Sequence, residues 1–479
     1  MTRDLTAFGT EITFPEMLQA DAWTGDGPAT GAPSDGWGFG PQLWQPKVWM
    51  RPEEAVDPGE WRSDQIGWGL VLPDRDDLTE RQKATADDAP EPIRELFKQR
   101  LPAARIFRHR QGPATGVVSL RDYLAHKDVA ISGSATGIGD GKLPQYLLLY
   151  GGPEALPWGL QYQLNAGRYV GRLHLTGDEL DHYVTALLSE WKDSAARYDA
   201  PVIWSVDHGG DDISQVMRTS IGAKVAARMT QDRDQEMKAA TYLDGGARPV
   251  TGGDLVAALA LNTPALVVTT SHGMTGPLDD RTQMTANLGL LVDTLHSPLE
   301  PTDVLARWQP AGAIWYAHAC CSAGADGSSV FTGLVQDGSL ADQVLRGVAG
   351  IGPTVAPLPT ALLGAAQPLR AFIGHVEPTF DWTIRSPWTL QPLTDNLVTA
   401  LYDKICLGKP AGLAFGDLYG RIGELATAHD QAIRQYSESI DGAEGALTAA
   451  TYTKLAYFDL QTTVILGDPT VAIRLPVRN

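Results

Sequence analysis

The chain has 479 residues, and its 38 Lys and Arg against 57 Asp and Glu give a formal net charge of −19. That balance argues against a basic surface for nucleic acid or an anionic membrane, and a composition of 43% hydrophobic and 20% charged residues argues against wholesale disorder. Three cysteines, two of them adjacent, cannot build a disulfide framework. No stretch reaches the roughly 18 apolar residues of a membrane helix, and residues 1–8 lack the apolar core of a secretory signal. A cytoplasmic protein with reduced thiols is expected.

Residues 1–125 are rich in Gly, Pro and Trp, as in Trp37-Gly38-Phe39-Gly40-Pro41 and Gly67-Trp68-Gly69, and read as a less regular N-terminal region of unknown role. Within it, the charged run from Asp74 to Pro90 reads as an exposed connection. The segment Ser132 to Lys142 invites a phosphate-loop reading. The place five residues before Gly141-Lys142 holds Thr136 rather than Gly, and Leu143 rather than Ser or Thr follows Lys142, so a flexible loop is expected.

From residue 126 to 479 short apolar runs alternate with longer amphipathic segments. Strands are expected at 145–150, 202–206, 265–271, 313–317, 371–375 and 463–466, with helices at 178–191, 213–229, 253–261, 282–295 and 390–406. Such alternation predicts an α/β fold, a sandwich with a mostly parallel central sheet flanked by helices, here as one domain spanning 126–479. Functional side chains in such sheets gather past the carboxyl ends of the strands.

Two of those ends carry a reactive pair. The third strand runs into His272-Gly273 and the fourth into Ala319-Cys320. Consecutive strands are usually spatial neighbours, so an imidazole and a thiol are expected to meet as a catalytic dyad. The N–H groups of Gly273 and of the cysteine would hold a developing oxyanion. His-Gly also occurs at His208-Gly209, one crossover earlier, and strand order favours His272. Cys320 sits directly at the strand end, but Cys321 beside it is the alternative nucleophile. Cys406, late in an amphipathic segment that Gly408 stops, reads as packing.

These blocks, His-Gly and then polar-Ala-Cys, together with Ile465-Leu466-Gly467-Asp468-Pro469, resemble the caspase-like cysteine peptidases of clan CD, in particular the bacterial gingipain-like and CHAT-like types, over about residues 143–475. The resemblance implies a caspase-like three-layer α/β/α sandwich and a regulated effector endopeptidase acting on protein or peptide substrates, with His272 and Cys320 as the dyad. It implies no cofactor and no metal, and an activating partner or ligand fits its regulated relatives. Asp279, Asp326 and Glu377 are candidates for an acidic substrate cleft, and His375, in Phe372 to Pro378, is a further cleft candidate or a core-edge histidine.

Two other function classes compete. A catalytically inactive scaffold of the same fold would need neither His-Gly nor Ala-Cys. A zinc hydrolase using His208, His272, His318, Cys320 and Cys321 would need cysteines spaced two or more residues apart. A serine hydrolase is disfavoured because no Gly-x-Ser-x-Gly elbow occurs.

Overall fold

Alternation of apolar side chains within single strands sets the layers. The computed structural model describes residues 56–110, 118–232, 236–237, 239–438 and 444–476; the expected N-terminal region lies outside them up to residue 55. Twelve strands form the central sheet: β1 (Trp68–Pro73), β2 (Ala104–His109), β3 (Ser119–Asp122), β4 (Lys127–Ala130), β5 (Tyr146–Tyr150), β6 (Tyr169–Leu173), β7 (Val202–Ser205), β8 (Thr241–Asp244), β9 (Leu266–Thr270), β10 (Ile314–His318), β11 (Ala371–His375) and β12 (Thr463–Gly467). Across the sheet the order is β4-β3-β2-β1-β5-β6-β12-β11-β10-β9-β7-β8.

In β1, Trp68, Leu70 and Leu72 enter one core cluster and Val71 the other; in β5, Tyr146 and Leu148 oppose Leu147 and Leu149. Both faces are therefore buried, and the strands read as near-continuous hydrophobic runs. The helix Trp158–Asn165 brings Leu160 and Leu164 to one face. Glu91–Arg100 and Gly177–Leu188 bring Ile93, Leu96, Leu180 and Val184 to the other. The result is a three-layer α/β/α sandwich.

Parallel pairing runs in two blocks. β8, β7, β9, β10 and β11 point one way. β12 is antiparallel to β11 but parallel to β6, so β6, β5, β1 and β2 run the opposite way. All six expected strands are present within a residue or so.

The regular structure starts earlier than composition suggests. β1, β2 and β3 precede residue 125 yet belong to the same sheet as the later strands, and the chain divides into units between Ala55 and Val56. Their pattern was obscured by charge: Arg108 in β2 is fully buried because Asp88 pairs with its guanidinium at 2.7 Å. For the same reason the 74–90 run is more than an exposed connection. It contains a helix, Glu80–Thr85, whose Lys83 is buried and ion-paired to Asp74 at 2.6 Å.

Two expected helices are shorter than their periodicity suggests. The segment 282–295 holds a helix only over Arg281–Asn287; Gly289, with φ +67°, then turns the chain so that Leu291–Val292 pairs with His272–Gly273. In 390–406 an α-helix over Asp395–Thr399 passes into a π-helical stretch, Ala400–Ile405. Cys406 is buried in the core, as expected. Two long helices, Ala411–Glu438 and Glu444–Gln461, pack together, with the His429 ring 2.9 Å from the Ala450 carbonyl.

Candidate active site

Register brings three strand ends level. Thr270 of β9 lies opposite His318 of β10 on one side and Ser205 of β7 on the other. His272, Cys320 and His208 each follow within a few residues, so all three emerge at the carboxyl edge of adjacent parallel strands, the place where such sheets present functional groups.

Gly273 and Cys320 are packed backbone to backbone. A Cβ added to Gly273 would lie 2.0 Å from the Cys320 carbonyl oxygen and 2.9 Å from its nitrogen, a separation that only glycine permits. The short pairing of His272–Gly273 with Leu291–Val292 holds this approach in place.

The two neighbouring sulfurs have different surroundings. Cys320 is half-buried, and its Sγ lies 3.5 Å from the Thr379 carbonyl. Burial pushes its thiol up to about 11, against a smaller opposing effect of the neighbouring backbone at Thr379, Cys320 and Gly273. Cys321 is fully buried with φ +55°. Its side chain sits among Leu288, Ala325 and Val348, and burial raises its thiol well above the ordinary range. Cys320 is thus the more accessible sulfur, packed against the apolar cluster that encloses Cys321.

His272 is oriented by a carboxylate that the sequence pattern did not reveal. Its Nε2 is 3.0 Å from both oxygens of Asp212. Asp212 is itself fixed as the N-cap of the helix Ile213–Met217, accepting from the Ser214 N–H at 2.8 Å. Burial pushes the Asp212 carboxyl up, but hydrogen bonds from Ser214 and His272 outweigh it and hold it below its usual value. With Nε2–H donated to a carboxylate, the neutral ring keeps its lone pair on Nδ1. The available signal was local: Asp212-Ile213-Ser214 is a helix-capping sequence directly after the His208 strand.

His208 stacks on His296, with ring centroids 4.3 Å apart, and lies 5.3 Å from the His272 ring. Its Nε2 is buried with no hydrogen-bond partner among the described residues, and burial lowers its basicity, as do His296 and His272. The other zinc candidates diverge: His318 turns into the sheet, where its Nδ1 meets the Tyr316 hydroxyl at 2.8 Å. Among the described residues no group of three or more His, Cys, Asp or Glu is placed to hold a metal ion.

The cleft candidates separate into three environments. His375 is buried and packed edge-on against His318 at 4.7 Å, so it is a core histidine, held well below its usual basicity by burial and by His318. Asp279 is exposed on the loop before Arg281–Asn287. Glu377 and Asp326 lie beside the cysteines. The Cys321 N–H donates to the Glu377 carbonyl at 3.0 Å. The Glu377 carboxylate accepts from the Ser329 hydroxyl at 2.6 Å and the Val330 N–H at 2.9 Å, and burial pushes it up to about 7. Burial also raises Asp326, which is half-buried.

No protein-family model matches the chain, and no curated protein matches it. Among solved structures it is similar to the Saccharomyces cerevisiae separase–securin complex. One structure of that complex gives a TM-score of 0.32 with 13% identity over 68% of this chain and 15% of the other. A second gives 0.30 with 11% identity over 70% of this chain and 16% of the other. The chain thus spans about one sixth of the length of the chains it matches.

Proposed function

We propose that the chain is a cysteine endopeptidase of the caspase-like kind, with Cys320 as nucleophile and His272 as acid and base. The observation that carries the reading is the close approach of the Gly273 backbone to the Cys320 backbone, beside a half-buried thiol at the end of a parallel strand.

The chemistry follows from those positions. A thiol held near 11 is protonated at neutral pH, so attack begins with transfer of its proton to His272 Nδ1, the ring atom that Asp212 leaves free. Sulfur bonds to the scissile carbonyl carbon, and the oxyanion is received by the N–H groups of Gly273 and Cys320. His272 returns its proton to the departing amine as the C–N bond breaks. It then takes a proton from water, which attacks the thioester; the C–S bond breaks, the acid leaves, and His272 returns that proton to the sulfur. Asp212 stabilises the imidazolium at both stages.

The half-buried Asp326, a few residues after the cysteines, favours a cationic side chain before the cut; Glu377, buried and bonded to Ser329 and Val330, supports that wall from behind. The free thiols fit a reducing compartment, and among the described residues no helix is long and apolar enough to cross a membrane. An activating partner or ligand accords with a resting thiol that is not ionised.

A peptide-library digest tests this reading. Wild-type protein is expected to cleave, with Arg or Lys preferred before the cut, Cys320→Ala to be inactive, and Cys321→Ala to retain activity. Equal cleavage by wild type and Cys320→Ala would sink the mechanism.

A further inference from the structure

A second concave site lies at the opposite edge of the sheet. β11 runs from Ala371 to His375 toward Thr379 and Cys320, whereas Arg370 precedes it and β12, antiparallel to β11, delivers Asp468 to Arg474 to that same starting edge. Five residues of strand separate the two edges by about 15 Å.

A cavity of about 990 Å³ opens there, lined by five cations, Arg62, Arg100, Arg370, Lys409 and Arg474, against three carboxylates, Asp57, Glu60 and Glu190. In a chain of net charge −19 this is a local reversal of sign. The cations are also poorly neutralised. Arg62 pairs with Glu190, and Arg100 has Asp468 at 3.3 Å. Among the described residues no carboxylate pairs with Arg370, Lys409 or Arg474.

Two of these guanidinium groups are buried. The Arg100 side chain is only 4% exposed, and its Nη1 has no hydrogen-bond partner among the described residues. Arg370 is 2% exposed and donates to the Gly312 carbonyl, a neutral acceptor. Arg100 has Asp468 as its counter-charge, but among the described residues Arg370 has none; removing a guanidinium from water without a counter-charge is unfavourable, and an anion entering the cavity would reverse that penalty. The wall adds Trp61, flanked by Arg62 at 4.1 Å and Arg100 at 4.3 Å, and the volume falls in the range of small-molecule sites.

We propose that this cavity binds a small molecule bearing a multiply charged oxyanion, the group shared by phosphate esters and polycarboxylates. Arg370 and Arg100 form its buried floor, and Lys409 and Arg474 its exposed rim. Because the cavity sits at the far edge from Cys320, ligand binding and peptidase activity fail independently.

Titration calorimetry on the full chain in about 150 mM salt tests the site, with inorganic tripolyphosphate in one arm and citrate in the other. Saturable binding of either is expected, and the arm that binds tells which source supplies the ligand. In Lys409→Ala and Arg474→Ala, both rim changes remote from the core, affinity is expected to fall about tenfold each. Cys320→Ala is expected to bind like wild type. Absence of binding in both arms, or affinity unchanged in the two rim variants, would overturn the proposal.

Discussion

Replacing Gly273 by Ala places a methyl group where the structure has no room. The added Cβ would sit 2.0 Å from the Cys320 carbonyl oxygen and 2.9 Å from its carbon and nitrogen, against a usual carbon contact of about 3.5 Å. All three atoms are backbone, so relief requires the segments after β9 and β10 to part by more than about 1 Å. Misplacement on that scale lowers rates about 10²-fold, and loss of an oxyanion donor lowers them about 10²- to 10³-fold. The expected outcome is a kcat reduced at least about 10²-fold, with overpacking removing about 1–3 kcal/mol of stability. Cleavage rates on a pooled peptide library, read beside thermal unfolding, check this. Activity within threefold of wild type in a folded variant would refute the role given to the Gly273–Cys320 approach.

Three further outcomes follow from neighbouring groups. Asp212→Ala removes both oxygens 3.0 Å from His272 Nε2, and kcat is expected to fall about 10²-fold with little change in KM; an unchanged kcat would show that the carboxylate has no orienting role. Because burial holds the Cys320 thiol near 11, its reactive thiolate fraction grows about tenfold per pH unit below that value. Iodoacetamide labelling of Cys320 is therefore expected to rise steadily from about pH 6.5 to 9, and a plateau below pH 8 would contradict a protonated resting thiol. Asp459 accepts from Thr379 and Phe380 beside the site, and burial raises its carboxyl from 3.8 to about 6. Its folded form thus prefers the proton: the associated stability is present below pH 4 and lost between pH 4 and 6, about 3 kcal/mol in all. Asp459→Asn is expected to flatten that decline in urea midpoints, and an unaltered pH profile counts against it.

The strands that hold His272 and Cys320 were legible because both faces of a parallel sheet are covered, so β9 and β10 are unbroken apolar runs between polar ends. β2 was not legible, since Ala104-Arg105-Ile106-Phe107-Arg108-His109 places arginines where only the partners Asp122 and Asp88, distant in sequence, make burial tolerable. The helix expected through residue 295 stops early for a backbone reason: Gly289 reverses the chain into the pairing that supports His272–Gly273. Asp212 was hidden by distance, lying 60 residues before the histidine it orients. The different burial of the two neighbouring sulfurs was not legible, because Leu288 and Val348, which pack around Cys321, lie far from it and from each other in the sequence.

The most direct test of the central claim is to identify the sulfur that carries the acyl group. Acid quenching of a turnover reaction, followed by peptide mapping, is expected to find the thioester on Cys320, in amounts that fall sharply in His272→Ala. An acyl group on Cys321, or the same yield without His272, would contradict the account.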